Sequence, residues 1–230
     1  MARFEELDFQ QTPVGEISLR RRYDLTAQTE IYEVRLGEEY LMSSLFTVAE
    51  RALATLALAE LGRDDLHVLV GGLGLGYTAH TALADPRVAD LTVMEVAQPV
   101  LDWHRRGLLP EVAGLATDQR CHLVLGDFFT MITEEPDATY DAILLDVDHT
   151  PRHILHPSHA DFYTTAGLQA MRRHLTAEGV FGLWSDDPPE EAFCSTLATV
   201  FPTSRAEVVG FANPLTGGRS SNTIYLATAG

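Results

Sequence analysis

Four short apolar runs in this chain each end in a group that can do chemistry. Val68-Leu69-Val70 runs into Gly71-Gly72-Leu73-Gly74-Leu75-Gly76, and Leu91-Thr92-Val93-Met94 ends in Glu95. Cys121 to Leu125 is followed by Gly126-Asp127-Phe128-Phe129, and Tyr140 to Leu145 by Asp146. A glycine-rich turn between a strand and a helix lets a ligand approach backbone that a Cβ would otherwise shield. The helix beginning at Tyr77 would offer it unpaired N–H groups. Gly71, Gly72, Gly74 and Gly76 are therefore read as cofactor-binding. A carboxylate about twenty residues further on, at the end of the next strand, can accept both hydroxyls of a ribose, and Glu95 stands there. Asp127 can accept from the exocyclic amine of an adenine while Phe128 packs on its ring, although Asp127 is also a fair helix N-cap. A dinucleotide needs only the first pair of motifs. The series of four, closing on Asp146, points to S-adenosyl chemistry.

These groups converge only if the runs are parallel strands of one sheet, since ligands of open α/β sheets lie at the carboxyl ends of the strands. From His67 onward strand and helix patterns alternate. Helices are expected near Tyr77–Ala84, Gln98–Arg106, Asp161–His174 and Pro189–Val200, and late strands near Val180–Trp184, Ala206–Gly210 and Asn222–Ala227. The expected fold class is α/β, a doubly wound seven-stranded sheet closing on an antiparallel hairpin. Before it, Ile17–Arg20, Ile31–Leu36 and Tyr40–Met42 alternate as strands between turns at Asp24–Gln28 and Gly37-Glu38. Leu45 to Leu61 has helical periodicity, with Ser43 or Ser44 as its cap. The expected division is 1–44, an N-terminal antiparallel β unit, and 45–230, the nucleoside-binding domain.

Composition narrows the partners. The chain has 230 residues, 46% of them hydrophobic, with 33 acids against 16 Lys plus Arg and a formal charge of −17. Such a field repels nucleic acid and attracts a cationic amine, so a small amine-bearing acceptor is expected and no nucleic acid. No apolar run reaches the ~20 residues that cross a bilayer, and Met1 to Glu6 has no signal-peptide core, so no membrane is expected and the location is read as cytoplasmic. Cys121 and Cys194 read as buried thiols of a reducing compartment. The oligomeric state is not set by the sequence; a homodimer is compatible with it.

Two further stretches carry candidate substrate groups. Asp146-Val147-Asp148-His149-Thr150-Pro151-Arg152-His153-Ile154-Leu155-His156-Pro157-Ser158-His159 holds four of the nine histidines. Two prolines and the lack of paired spacing argue against a metal site, and none is expected. Asp148, His149 and His153 are instead candidates to orient or deprotonate an amine beside Asp146. Ser158 is read as a cap for the next helix. In Trp184-Ser185-Asp186-Asp187-Pro188-Pro189, Asp187 suits a helix start, and Asp186 is a substrate-binding candidate at a strand end.

Together, the glycine turn, Met94-Glu95-Val96, Gly126-Asp127-Phe128-Phe129, Tyr140 to Asp146 and Asp161-Phe162-Tyr163 resemble the spermidine synthase (polyamine aminopropyltransferase) family. That resemblance implies the class I S-adenosylmethionine-dependent methyltransferase fold, Rossmann-like, with Glu95 on ribose, Asp127 on adenine and Asp146 at the sulfonium and amine. Three departures stand out. Gly74 occupies the place of the family's aspartate that holds the donor amine. Leu41-Met42-Ser43-Ser44-Leu45-Phe46 replaces a Tyr-His-Glu stretch, and Asp146-Val147-Asp148-His149-Thr150-Pro151 replaces Asp-x-x-Asp-Pro. The expected function is methyl transfer from S-adenosyl-L-methionine to a small amine. The alternatives are aminopropyl transfer from decarboxylated S-adenosylmethionine to a diamine, and nucleoside binding without catalysis.

Overall fold

The computed structural model describes residues 4–12, 15–147 and 157–230. A seven-stranded sheet dominates it. β5 (Leu66–Gly71), β6 (Val88–Glu95), β7 (Cys121–Leu125), β8 (Tyr140–Leu145) and β9 (Leu175–Ser185) run parallel, and β10 (Thr203–Asn213) and β11 (Gly218–Thr228) add an antiparallel hairpin. The strand order is β10-β11-β9-β8-β5-β6-β7. After β5 the chain builds outward to β6 and β7, then returns to place β8 on the other side of β5. That reversal opens a crevice at the carboxyl ends of β5 and β8.

The central strands are apolar throughout because both faces are covered. Their alternation divides the interior. Val68 and Val70 of β5 and Ala142 and Leu144 of β8 join one core with Leu19, Leu91 and Trp103. Leu69, Ile143 and Leu145 join a second, aromatic-rich core with Phe128, Phe162, Phe181, Phe193 and Tyr225. Helices α1 (Val48–Ala59), α2 (Tyr77–Ala84) and α3 (Gln98–Arg105) bury apolar faces. On the far side lie α4 (Phe128–Met131), α5 (Thr165–Arg172) and α6 (Glu191–Val200). Gly182 of β9 allows α1 its close approach, since a Cβ there would lie 2.7 Å from Leu53 Cδ1. Cys121 and Cys194 are free thiols, and burial pushes Cys121 up to about 12.

Ahead of α1 stands a four-stranded antiparallel sheet, β1 (Phe4–Thr12), β2 (Gly15–Asp24), β3 (Thr29–Leu36) and β4 (Glu39–Ser43), in sequential order. β1 is an addition to the expected three strands. It is an edge strand with Phe4 and Phe9 exposed, so the alternation that marks a half-buried strand is blurred. A register shift between Glu6 and Asp8 turns Asp8 toward α3. There its carboxylate accepts from Trp103 Nε1 at 2.7 Å and Gln10 Nε2 at 2.8 Å, and pairs with Arg106 at 3.1 Å.

Several expected boundaries move, each for a hydrogen-bonding reason. α1 begins after Thr47, because Ser43 Oγ instead accepts from Leu45 N and Ser44 Oγ from Tyr32 N. The helix expected over Asp161–His174 divides into a 3-10 segment, Pro157–Tyr163, and α5. The side chain that caps α5 is Thr164, whose Oγ1 accepts from Gly167 N and donates to the Asp161 carbonyl; the Ser158 side chain expected as a cap lies outside those described. α6 starts at Glu191, beyond Asp187 and both prolines, with Glu190 N donating to Tyr225 Oη.

Burial raises the Asp8 carboxyl, but the bonds from Trp103, Gln10 and Arg106 outweigh it and hold the group below its ordinary value. Its contribution to stability is therefore present above pH ~4 and lost as pH falls through the lowered value. Asp8→Asn is expected to cost about 1–2 kcal/mol in urea unfolding at pH 7. The difference from wild type should shrink in acid.

Candidate functional site: the crevice at the strand reversal

The glycine turn is built by its neighbours. Gly72, at φ +93°, lies against the backbone of Asp146, where a Cβ would collide with the Asp146 carbonyl oxygen. Gly74 (φ +45°) and Gly76 (φ +87°) are also left-handed; a Cβ on the first would meet Met42 Sδ at 2.5 Å, and on the second His104 Cε1 at 2.6 Å. Gly71 has the Phe128 ring and Leu145 against it. These glycines thus answer to close packing within the protein as well as to the approach of a ligand.

Three side chains pin the turn's polar groups. Glu95, buried at the end of β6, takes Leu73 N at 2.9 Å and Gly74 N at 3.4 Å on Oε2, and Ala97 N at 2.8 Å on Oε1. His104 of α3 donates from Nε2 to the Gly74 carbonyl at 2.9 Å, because a carbonyl can only accept. Burial holds its imidazole below the ordinary histidine value. Met42 of β4 lays its sulfur 3.2 Å from Leu75 N, a weak acceptor on that amide.

A cavity of about 330 Å³ opens beside the turn. Leu73 to Tyr77 form one wall, Asp146 another, and Tyr40, Met42 and Phe46 reach in from the N-terminal segments. Trp184, Asp186 and the inner face of the β10–β11 hairpin, with Phe211, Asn213, Ser220 and Asn222, close the opposite side. Three carboxylates line it, Glu50, Asp146 and Asp186, and no lysine or arginine does among the described residues. Asp186 accepts from Asn222 Nδ2 at 2.7 Å. Asp146 accepts from Thr78 Oγ1 at 2.5 Å, and loss of solvent pushes its carboxyl up to about 6 against the lowering effect of that bond.

Of the residues singled out from the sequence, Gly74, Gly76, Asp146 and Asp186 meet at this cavity. Glu95 lies behind the turn with its carboxylate on backbone amides. Asp127 is exposed at the end of β7 and caps α4, accepting from Phe129 N at 3.0 Å and Thr130 Oγ1 at 2.8 Å. Phe128 points into the aromatic core and is 4% exposed, so it offers no open ring face. Between Glu95 and Asp127 the strand ends instead present Val96 and Leu125, 62% and 53% exposed. Asp148, His149 and His153 lie outside the described residues. Among those described, no group of three or more His, Cys, Asp or Glu is placed to hold a metal ion, and no helix is long and apolar enough to cross a membrane. Glu50, Thr78, His104 and the hairpin face were not legible in the sequence.

A doubly wound sheet with a glycine turn at its reversal and an acidic crevice beside it defines a Rossmann-like α/β protein. The spermine/spermidine synthase domain matches residues 48–201, more than half of the chain, and the chain belongs to that family. It is 30% identical over 144 residues to a polyamine aminopropyltransferase of Bacillus mycoides (strain KBAB4), covering 60% of this chain and 50% of that protein. It is 33% identical over 79 residues to putrescine N-methyltransferase 3 of Nicotiana tabacum, covering 34% of this chain and 20% of that one. The chain spans about half the length of the curated aminopropyltransferases it matches. In fold it is similar to the spermidine synthase from Thermotoga maritima, with a TM-score of 0.76 at 19% identity over 98% of this chain and 73% of the other. A probable spermidine synthase from Corynebacterium glutamicum ATCC 13032 superimposes with a TM-score of 0.69 at 16% identity, over 98% and 80%.

The contrasting partners of Glu95 and Asp127 separate their effects. Glu95→Gln, which weakens a buried carboxylate's bonds to backbone amides, is expected to cost about 1.5–3 kcal/mol in chemical unfolding. Asp127→Ala, which removes an exposed cap from a four-residue helix, should cost about 1 kcal/mol or less.

Proposed function

We propose that this protein transfers an alkyl group from the sulfonium of an adenosyl donor to an amine, and that the group is aminopropyl. The observation that carries the reading is the acid-lined cavity at the strand reversal, with Asp146 at the meeting point of glycine turn, α2 and β8. Family membership and the curated aminopropyltransferases support aminopropyl transfer over the methyl transfer expected from the sequence. The residues fit an adenosyl donor. Exposed Val96 and Leu125 at adjacent strand ends offer apolar cover to a base, and the exposed Asp127 carboxylate at the end of β7 retains acceptor capacity beyond its two capping bonds. Glu95 retains acceptor capacity toward a ribose beyond the amides it holds.

The chemistry is a displacement in which the amine nitrogen forms a bond to the carbon on sulfur as the C–S bond breaks. The bonding pair leaves with sulfur, which becomes a neutral thioether. This chain's residues need to align the two partners and take a proton from an amine that arrives charged. In this reading Asp146 takes that proton, with Asp186 and Glu50 holding the remaining positive charge. Asp148, His149 and His153 stay proposed as further acceptor-binding groups.

Methyl transfer from S-adenosylmethionine is the second reading, favoured by one site. Gly74 brings no carboxylate of its own for a donor's amine, and Met42 packs against it where a side chain would stand. The two readings differ in co-product. Incubated with putrescine and an equimolar mixture of S-adenosylmethionine and its decarboxylated form, the protein should release methylthioadenosine. S-adenosylhomocysteine as the product would establish methyl transfer instead. Binding of either nucleoside without turnover of any amine would reduce the protein to a non-catalytic homologue.

Asp146→Asn should lower turnover about a hundredfold or more while leaving donor affinity within a few fold, as loss of general-base assistance does. In wild type, kcat/KM should rise with pH around 6 as Asp146 ionises, and the mutant should lose that limb. Full turnover by the mutant would remove Asp146 from the chemistry.

A further inference from the structure

Thr78 places one hydroxyl between two acceptors. It lies in the first turn of α2, 1% exposed. Its Oγ1 is 2.5 Å from Asp146 Oδ2 and 3.0 Å from the main-chain carbonyl of Glu50 in α1. A hydroxyl carries a single proton, so Thr78 can donate to only one of them at a time. With Asp146 ionised, the proton points at the carboxylate. With Asp146 protonated, the carboxyl donates to Thr78 Oγ1, and Thr78 turns its own proton to the Glu50 carbonyl. Both arrangements satisfy the buried hydroxyl, which makes it a two-position device and not a fixed cap.

We propose that Thr78 is the positioning residue that sets the charge of Asp146, holding it as a carboxylate when an amine is to be received. Among the described residues, the other ionisable groups facing Asp146 across the cavity are Tyr40 of β4, Glu50 of α1, Tyr77 of α2 and Asp186 beyond β9, and none of these is a cation. The positive charge carried by α1, Arg51, sits over the Tyr77 ring at 4.8 Å, and the Tyr77 hydroxyl donates to Glu111. Among the described residues, the Thr78 bond is the neighbouring interaction that favours the charged form, opposed by loss of solvent. A bond to a charged group of this kind moves a titration by about one pH unit or more. The proton geometry stands by itself, while its consequence for catalysis rests on the amine-transfer reading.

The test is a carboxyl 13C NMR titration of protein labelled at aspartate, with the Asp146 signal assigned by its disappearance in Asp146→Asn. Thr78→Val keeps the shape and removes the hydroxyl; it should raise the Asp146 midpoint by about one unit or more. Thr78→Ser restores the donor and should titrate within a few tenths of a unit of wild type, allowing for serine's extra rotamer freedom. Thr78→Ala provides a second removal if valine disturbs α2. An unchanged midpoint in whichever removal variant is folded overturns the proposal, whether or not an amine is turned over. Where activity is present, the acid limb of kcat/KM should move upward with the NMR midpoint. A limb that stays in place while the midpoint moves overturns the catalytic consequence alone.

Discussion

The crevice depends on a contact in which no side chain takes part. At the carboxyl ends of β5 and β8 the chain brings Gly72 against the Asp146 carbonyl, closer than any residue with a Cβ permits. Gly72 N donates to the Met94 carbonyl and Asp146 N to the Gly71 carbonyl, at 2.9 and 2.8 Å. These bonds lock the ends of three parallel strands into one rim. Asp146 owes its place beside the glycine turn to that rim. Its side chain points over the start of α2, where Oδ2 accepts from Thr78 Oγ1.

Around the rim, elements distant in sequence each give one group to the same turn. β6 supplies the Glu95 carboxylate, α3 the His104 imidazole and β4 the Met42 thioether. The three differ greatly in hydrogen-bonding strength. A buried carboxylate on amide N–H groups is a strong, charge-assisted interaction, whereas a thioether on an amide is weak. The turn is therefore rigid where it meets β6 and α3 and easily released where it meets the N-terminal sheet. A ligand oxygen at Leu75 N would exchange a poor acceptor for a good one, at the cost of a rotamer change in a flexible side chain.

Much of this was legible in the sequence because parallel strands buried on both faces must read as unbroken apolar runs. Val68–Val70 and Ile143–Leu145 do so, and the glycines and acids that end them were found by position alone. The long-range contacts that decide what those acids do left no local mark. Glu95 and Asp127 look alike as acids following apolar strands, yet one is buried on the turn's amides and the other is an exposed cap. Phe128 was expected on an adenine because it follows Asp127, but as the first residue of α4 it turns inward to the second core. Val96, equally close to a strand end, keeps its exposed face. β1 was hidden because an edge strand with exposed phenylalanines lacks alternation, and Thr78 because its partners lie in α1 and beyond β8.

In the proposed reaction, the charge of the cavity would act on the product as strongly as on the substrate. Adding an aminopropyl arm gives the amine one more ammonium group, whereas a methyl group leaves the number of charges unchanged. A crevice lined by Glu50, Asp146 and Asp186, in a chain of net charge −17, grips a trication harder than the dication from which it was made. A field that draws in a cationic amine also resists the departure of a more highly charged one, and its reach is set by ionic strength. An aminopropyl-transferring protein of this design is self-limiting in dilute buffer and faster at physiological salt, while the same cavity used for methylation has no such asymmetry.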